Sequence, residues 1–138
     1  MKRKILYLFF ALVMLTGCGK NVPLSGRVTF ADNGEPLSAG TVVFVNGVNQ
    51  GRGNIQLDGS YIIGFESEKN GLPSGKYKVY IDNANRYEGG ELDENGIPKS
   101  EQKIIPLINE KFTKLDKSDL SVDVNSSLKK FDIKVERP

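Results

Sequence analysis

Asn54-Ile55-Gln56-Leu57-Asp58-Gly59-Ser60-Tyr61-Ile62-Ile63 is the stretch that decides the fold. Two alternating runs flank Asp58-Gly59, a pair that tolerates the positive φ of a type I′ turn, so the segment predicts a β-hairpin. Just upstream, Thr41 to Asn46 is rich in β-branched residues and reads as a strand buried largely on both faces. Between them, Asn46 to Gly53 holds three glycines and reads as a loop or wide turn. Earlier still, Leu24 to Phe30 is a strand with Leu24, Val28 and Phe30 on one face. Gly26 shares that face, where a missing side chain permits close approach. Asp32-Asn33-Gly34-Glu35-Pro36 closes it with turn residues.

Downstream, Lys76 to Asp82 alternates Tyr77, Val79 and Ile81 against Lys76, Lys78 and Tyr80, the pattern of an edge or half-exposed strand. Asn83 to Lys103 is polar and is expected to be a surface excursion. Ile104-Ile105-Pro106-Leu107-Ile108 should return to the core, and Asn109 to Lys117 should hold a short helical turn. A second hairpin is expected to close the chain. In it Leu120, Val122 and Val124 alternate, Asn125-Ser126-Ser127 turns, and Phe131, Ile133 and Val135 alternate again. The reading is all-β: a single antiparallel β-sandwich, prealbumin- or Ig-like, of about seven strands.

The N-terminus differs from all of this. A basic Met1-Lys2-Arg3-Lys4 precedes eleven apolar residues, Ile5 to Leu15, and then small ones, the layout of a secretory signal. Eleven helical residues reach roughly 17 Å, short of a hydrocarbon core of roughly 30 Å. Leu15-Thr16-Gly17-Cys18 resembles the lipobox of bacterial lipoproteins. The resemblance implies cleavage before Cys18 after its sulfur has received a diacylglycerol. On this reading 1–17 is a signal peptide, 18–23 a lipidated tether and 24–138 the domain. Two or more acyl chains hold a protein stably on a membrane, at about 0.8 kcal/mol per buried CH₂. Gly19, not an acidic residue, follows the cysteine, so outer-membrane attachment is expected, with the outer face of the cytoplasmic membrane as the alternative.

The net charge of +2 belongs to the full chain. Without Lys2, Arg3 and Lys4, sixteen basic residues face seventeen acidic ones, a net of −1. Such a domain has no broad field for nucleic acid. Cys18 is the only cysteine, so no internal disulfide can form.

Gly26-Arg27-Val28-Thr29-Phe30 followed by Gly34-Glu35-Pro36-Leu37-Ser38-Ala39-Gly40-Thr41-Val42-Val43-Phe44 resembles the opening of carboxypeptidase regulatory-like (transthyretin-like) domains. Asp58-Gly59-Ser60-Tyr61 is similar to that family's D-x-x-G-x-[FY] region with a shortened spacing. Leu72-Pro73-Ser74-Gly75-Lys76-Tyr77-Lys78-Val79 is similar to its P-x-G-x-Y-x-V strand. The tail, Ile108 to Thr113 and Ser118 to Val124, resembles short lipoproteins of planctomycetes and relatives, with Asn109 where a proline is usual. The resemblance implies a β-sandwich and carries over no catalytic residue, because its motifs are turns and core positions.

Chemistry is sparse. With no histidine, Ser-His-Asp and Cys-His arrangements and His-based zinc sites are excluded. Ser74 with Lys76 is the nearest thing to a nucleophile–base pair, at a turn with no sign of burial to lower a lysine pKa. Gly51-Arg52-Gly53 lacks the lysine-serine ending of a phosphate loop. Glu88, Glu91, Asp93 and Glu94 are the weak Ca²⁺ candidates, at a spacing foreign to an EF-hand and more like a solvated loop. Tyr61 and Tyr77 should face inward, leaving Tyr80 and Tyr87 as exposed aromatics. Asn125-Ser126-Ser127 matches a glycosylation sequon but reads as a turn.

The expectation is a non-enzymatic binding or structural module without a cofactor, held on the membrane by its lipid. Its partner would be an envelope protein or a glycan, with the Lys76 to Asp82 strand as one route to β-augmentation. The alternative is an accessory carbohydrate- or Ca²⁺-binding domain using the 83–103 loop.

Overall fold

The computed structural model describes residues 20–64 and 70–138; the signal segment and Cys18 lie outside them. The described residues form nine strands: β1 (Leu24–Phe30), β2 (Thr41–Asn46), β3 (Asn49–Asn54), β4 (Ser60–Ile63), β5 (Gly75–Asp82), β6 (Asn85–Glu88), β7 (Lys103–Pro106), β8 (Ser121–Val124) and β9 (Ile133–Val135). Seven of them build a sandwich from a three-stranded sheet, β4-β1-β9, and a four-stranded one, β3-β2-β5-β8. The remaining two, β6 and β7, make a sheet of their own. The pairing is antiparallel except that β9 runs parallel to β1.

One core lies between the two sheets. Leu24, Val28, Phe30, Tyr61, Ile63, Ile133 and Val135 face Val42, Phe44, Tyr77, Val79, Ile81 and Val124 across it. Phe44 is its hub, with ring centroids 6.4 Å from Tyr61, 6.4 Å from Tyr77 and 6.0 Å edge-on from Phe131. Burial pushes the hydroxyls of Tyr61 and Tyr77 up, so both stay protonated donors, Tyr61 to the Phe131 carbonyl and Tyr77 to Pro73 O at 2.8 Å. Val43, on the opposite face of β2, is also fully buried, as expected for a strand covered on both sides.

The stretch around Asp58-Gly59 folds back as a hairpin, Gln56 N–H donating to Ser60 O at 2.8 Å and Arg52 bridging Gly64 in the same antiparallel register, but its limbs part into different sheets and its turn is not type I′. Its first limb runs from the end of β3 in the four-stranded sheet, and its second is β4, which pairs with β1 in the other sheet. It is therefore the corner that carries the chain across the core. Only Gly59 takes positive φ (81°), because Gly59 N–H donates to Gln56 O at 2.8 Å and leaves Asp58 in an ordinary conformation. The Asp58 carboxylate accepts from the Ser60 hydroxyl (2.6 Å) and from Ser60 N–H (3.0 Å), which holds it below the usual carboxylate range.

Four further expectations are corrected. The glycine-rich tract 46–53 is mostly strand: β3 pairs with β2 along its whole length through a two-residue turn in which Gly47 alone has positive φ. Gly51 and Gly53 point inward, where a Cβ would lie 2.4 Å from Leu72 and 2.3 Å from Ile62 O, so neighbouring groups occupy the space that side chains would otherwise fill. β5 is half-exposed as read, with Tyr77, Val79 and Ile81 buried and Lys76 and Lys78 exposed, but it is interior, paired with β2 on one side and β8 on the other, and is not an edge open to a partner strand. β8 and β9 belong to different sheets, so the C-terminal pair is no hairpin. Of Ile104 to Ile108, only Ile108 is buried. Ile104 and Ile105 sit on β7, away from the core. The helical turn expected after them is a 3₁₀ turn, Glu110–Phe112.

Val22 is itself a core residue. Its N–H donates to Leu72 O (2.6 Å) and its carbonyl accepts from Leu72 N–H (2.8 Å), so the packed domain begins two residues before Leu24.

At the other terminus Arg137 clamps the β1 turn. Its guanidinium lies 3.9 Å from the Phe30 ring centroid, with Nε 3.1 Å from Asp32 Oδ2 and Nη2 3.0 Å from Glu35 Oε2. All three groups are about half exposed, so the ion pairs are screened and the ring contact adds a similarly modest amount. Arg137→Ala is expected to cost about 1–2 kcal/mol, read as a lower urea midpoint with an unchanged slope.

Candidate functional site

The two strands outside the sandwich form a ribbon-like arm that packs substantially on no other strand among the described residues. Its register is Asn85 opposite Pro106, Arg86 opposite Ile105, Tyr87 opposite Ile104 and Glu88 opposite Lys103. The polar 83–103 segment is thus ordered structure, the outgoing limb, tip and start of the returning limb of one hairpin. Its chain leaves β5 at Asn83, the one described non-glycine residue with positive φ (54°), a conformation asparagine tolerates better than most residues. Ala84 and Ile108 root the arm in the core, and Leu107 N–H donates to Ala84 O at 2.9 Å.

At the tip Asp93 organises the turn. Its Oδ1 accepts from Asn95 N–H and Ile97 N–H, both at 2.9 Å, while its own N–H donates to Ile97 O at 2.8 Å. This is the local side-chain-to-backbone bonding that makes Asp a turn residue. Along the arm Tyr87, Leu92, Ile97 and Ile104 are each more than half exposed. Tyr87 and Ile104 are direct cross-strand partners and so share one face. A concavity of about 370 Å³ lies at the root, lined in part by Asn83, Asn85, Pro106 and Glu110.

The carboxylates named as Ca²⁺ candidates do not converge. Glu88 is 2.8 Å from Arg86, the Asp93 carboxylate is engaged by backbone N–H groups, and Glu91 and Glu94 are exposed. Among the described residues no three acidic, histidine or cysteine groups lie close enough to hold a metal ion. Ser74 and Lys76 are both exposed. Tyr80 is half-buried, leaving Tyr87 as the more exposed of the two tyrosines read as available to a ligand. Asn125 Oδ1 accepts from Ser127 N–H (3.0 Å) and Leu128 N–H (3.2 Å), the turn read from the sequence. Sequence reasoning found the exposure of Tyr87 but missed the arm that displays it.

Fold and site together define an all-β sandwich bearing a two-stranded arm. No protein-family model and no curated protein matches the chain. Among solved structures it is similar to the major pilin subunit BcpA of Bacillus cereus, at 11% identity and a TM-score of 0.46, over 86% of this chain and 30% of that one. It is also similar to a 9R-lipoxygenase from Cyanothece, at 17% identity and a TM-score of 0.38, over 83% of this chain and 16% of that one. The chain thus spans less than a third of either protein.

Proposed function

We propose that this chain is a lipid-anchored protein of the bacterial cell envelope, with a non-catalytic β-sandwich of the carboxypeptidase regulatory-like kind that binds a partner through its arm. The observation that carries the reading is Leu15-Thr16-Gly17-Cys18 set directly behind a basic start and an eleven-residue apolar run. Support for the family reading comes from where its motif residues fall. Gly34, Gly40, Gly59 and Gly75 all adopt positive φ, and Val42, Phe44, Tyr61, Tyr77 and Val79 fill the core. Support for a binding role comes from Tyr87 and Ile104, a cross-strand pair that holds two apolar side chains side by side in solvent on one face of the arm. The absence of histidine removes Ser-His and Cys-His pairs, and lipidation of Cys18 would remove the sole thiol, which supports a non-catalytic role.

Cys18→Ser is expected to reduce metabolic labelling of the chain with palmitate to background and to release the protein from the membrane fraction. Labelling that persists would overturn the anchor. The carbohydrate-binding alternative rests on Tyr87, whose exposed ring offers the kind of face on which sugars stack.

A further inference from the structure

The arm is a two-stranded ribbon, and such ribbons are marginal in water unless a third strand or a packed face supports them. Neither β6 nor β7 has a further strand on its outer side among the described residues. The two outer edges are not equivalent. The bond from Leu107 N–H to Ala84 O makes Asn85–Pro106 a non-hydrogen-bonded pair of the ladder, so the N–H that proline lacks would have faced outward. Pro106 therefore blunts one end of the β7 edge and leaves Ile104 to face outward there between Lys103 and Ile105, flanks that offer a second copy of that edge no opposite-charge pairing. On β6 the alternation makes Tyr87–Ile104 a pair of the same type, and the Tyr87 N–H and C=O both point away from β7. The outward N–H of Asn85 is already used, donating to Asn83 O at 2.8 Å. Tyr87 is thus the centre of an open edge flanked by Arg86 and Glu88, whose side chains are 60% and 52% exposed.

We propose that this edge binds the β6 edge of a second copy of the chain, antiparallel, with Tyr87 opposite Tyr87 of the second copy. In that register the two tyrosines exchange both backbone hydrogen bonds across a two-fold axis. Arg86 then stands opposite Glu88 of the second copy, and Glu88 opposite its Arg86. Both are non-hydrogen-bonded positions, where Cα atoms approach to about 4.5 Å and side chains meet most closely. Sliding by two residues either way places Arg86 opposite Arg86 or Glu88 opposite Glu88, and like charges directly opposed are unfavourable. The sequence Arg-Tyr-Glu is self-complementary in one antiparallel register only. A contact of this size buries far less than the roughly 1,200–2,000 Å² of a stable interface, so the association is weak and concentration-dependent.

Disulfide trapping suits such a contact. In the full chain carrying Cys18→Ser, so that the introduced thiol is the sole one, Arg86→Cys protein mixed with Glu88→Cys protein should cross-link on mild oxidation. The mixed pair juxtaposes the cysteines and keeps one Arg–Glu contact. In either protein alone, the register separates like Cα atoms by about 8 Å, beyond the roughly 7 Å a disulfide can bridge. The mixture is expected to give at least about fivefold more disulfide dimer than either protein alone, and Tyr87→Cys is expected to dimerise by itself. Equal yields from the mixture and the separate proteins, or a Tyr87→Cys protein that stays monomeric, would overturn the proposal. Because the background lacks Cys18, the outcome is independent of whether the chain is lipidated.

Discussion

Gly26→Ala is expected to remove a large part of the stability of the domain. The new Cβ would lie 1.9 Å from the Phe131 carbonyl oxygen, 2.7 Å from its carbon and 2.7 Å from the Tyr61 hydroxyl. Two of these three atoms are backbone, so no side chain can rotate away to make room. The clash also falls on the hydrogen bond from the Tyr61 hydroxyl to Phe131 O, and on the segment that enters β9 through Phe131 N–H donating to Ser25 O at 2.8 Å. Overpacking of a core commonly costs 1–3 kcal/mol, and leaving a buried hydroxyl unpaired costs a similar amount. About 3–5 kcal/mol is therefore expected here. A domain of this size has roughly 5–15 kcal/mol in total, so the loss should appear as a much lower urea midpoint. Gly26 is not in the left-handed region, so backbone conformational preference contributes little; a midpoint matching the parent would mean that the 131 segment can shift aside.

Phe44→Ala should cost a comparable amount by the opposite route, a void instead of a clash. Phe44 is fully buried and touches aromatic rings from both sheets, so its loss removes the contact that joins Tyr61 on β4 to Tyr77 on β5. Truncating a buried phenylalanine to alanine typically costs 3–5 kcal/mol, from lost transfer energy and from a cavity that the surroundings only partly fill. Three rings surround the site and two of them are pinned by their hydroxyl hydrogen bonds, which limits collapse. The expected loss is therefore about 4–5 kcal/mol, while Phe44→Leu should retain most of the stability. Equilibrium denaturation checks both, and an alanine variant within about 1 kcal/mol of the parent would refute the hub role of Phe44.

Strands that fill the core on one face were legible in the sequence. Leu24 to Phe30, Thr41 to Asn46 and Lys76 to Asp82 form at almost the expected residues because alternation reports burial directly. Strand pairing was not legible. Ile55 and Tyr61 alternate as hairpin limbs and the chain does fold back between them, yet the two limbs join different sheets, and local periodicity does not report which sheet a strand enters. β3 was invisible for the reverse reason: its inward positions are Gly51 and Gly53, so burial leaves no apolar trace. The arm was missed because both faces of a free ribbon are wet. Polar residues filled most of it, and the one apolar segment, Ile104-Ile105, looked like core. The exposed Tyr87 could be picked out; the strand edge around it depends on the register with β7, which no single-residue feature encodes.

The pairing of Val22 with Leu72 has a mechanical consequence for a chain anchored at Cys18. Only Gly19, Lys20 and Asn21 separate that cysteine from Val22 of the packed domain, a leash of about 14 Å at full extension. Leu72 sits three residues ahead of β5, and the arm departs one residue beyond its end, so the eight residues of β5 stand between the two. That strand is a strut of roughly 26 Å. On the proposed anchoring, the sandwich is moored close to the lipid headgroups by one end and raises the root of the arm from the other. The height at which the arm meets its partner is then set by a rigid strand and not by a floppy linker.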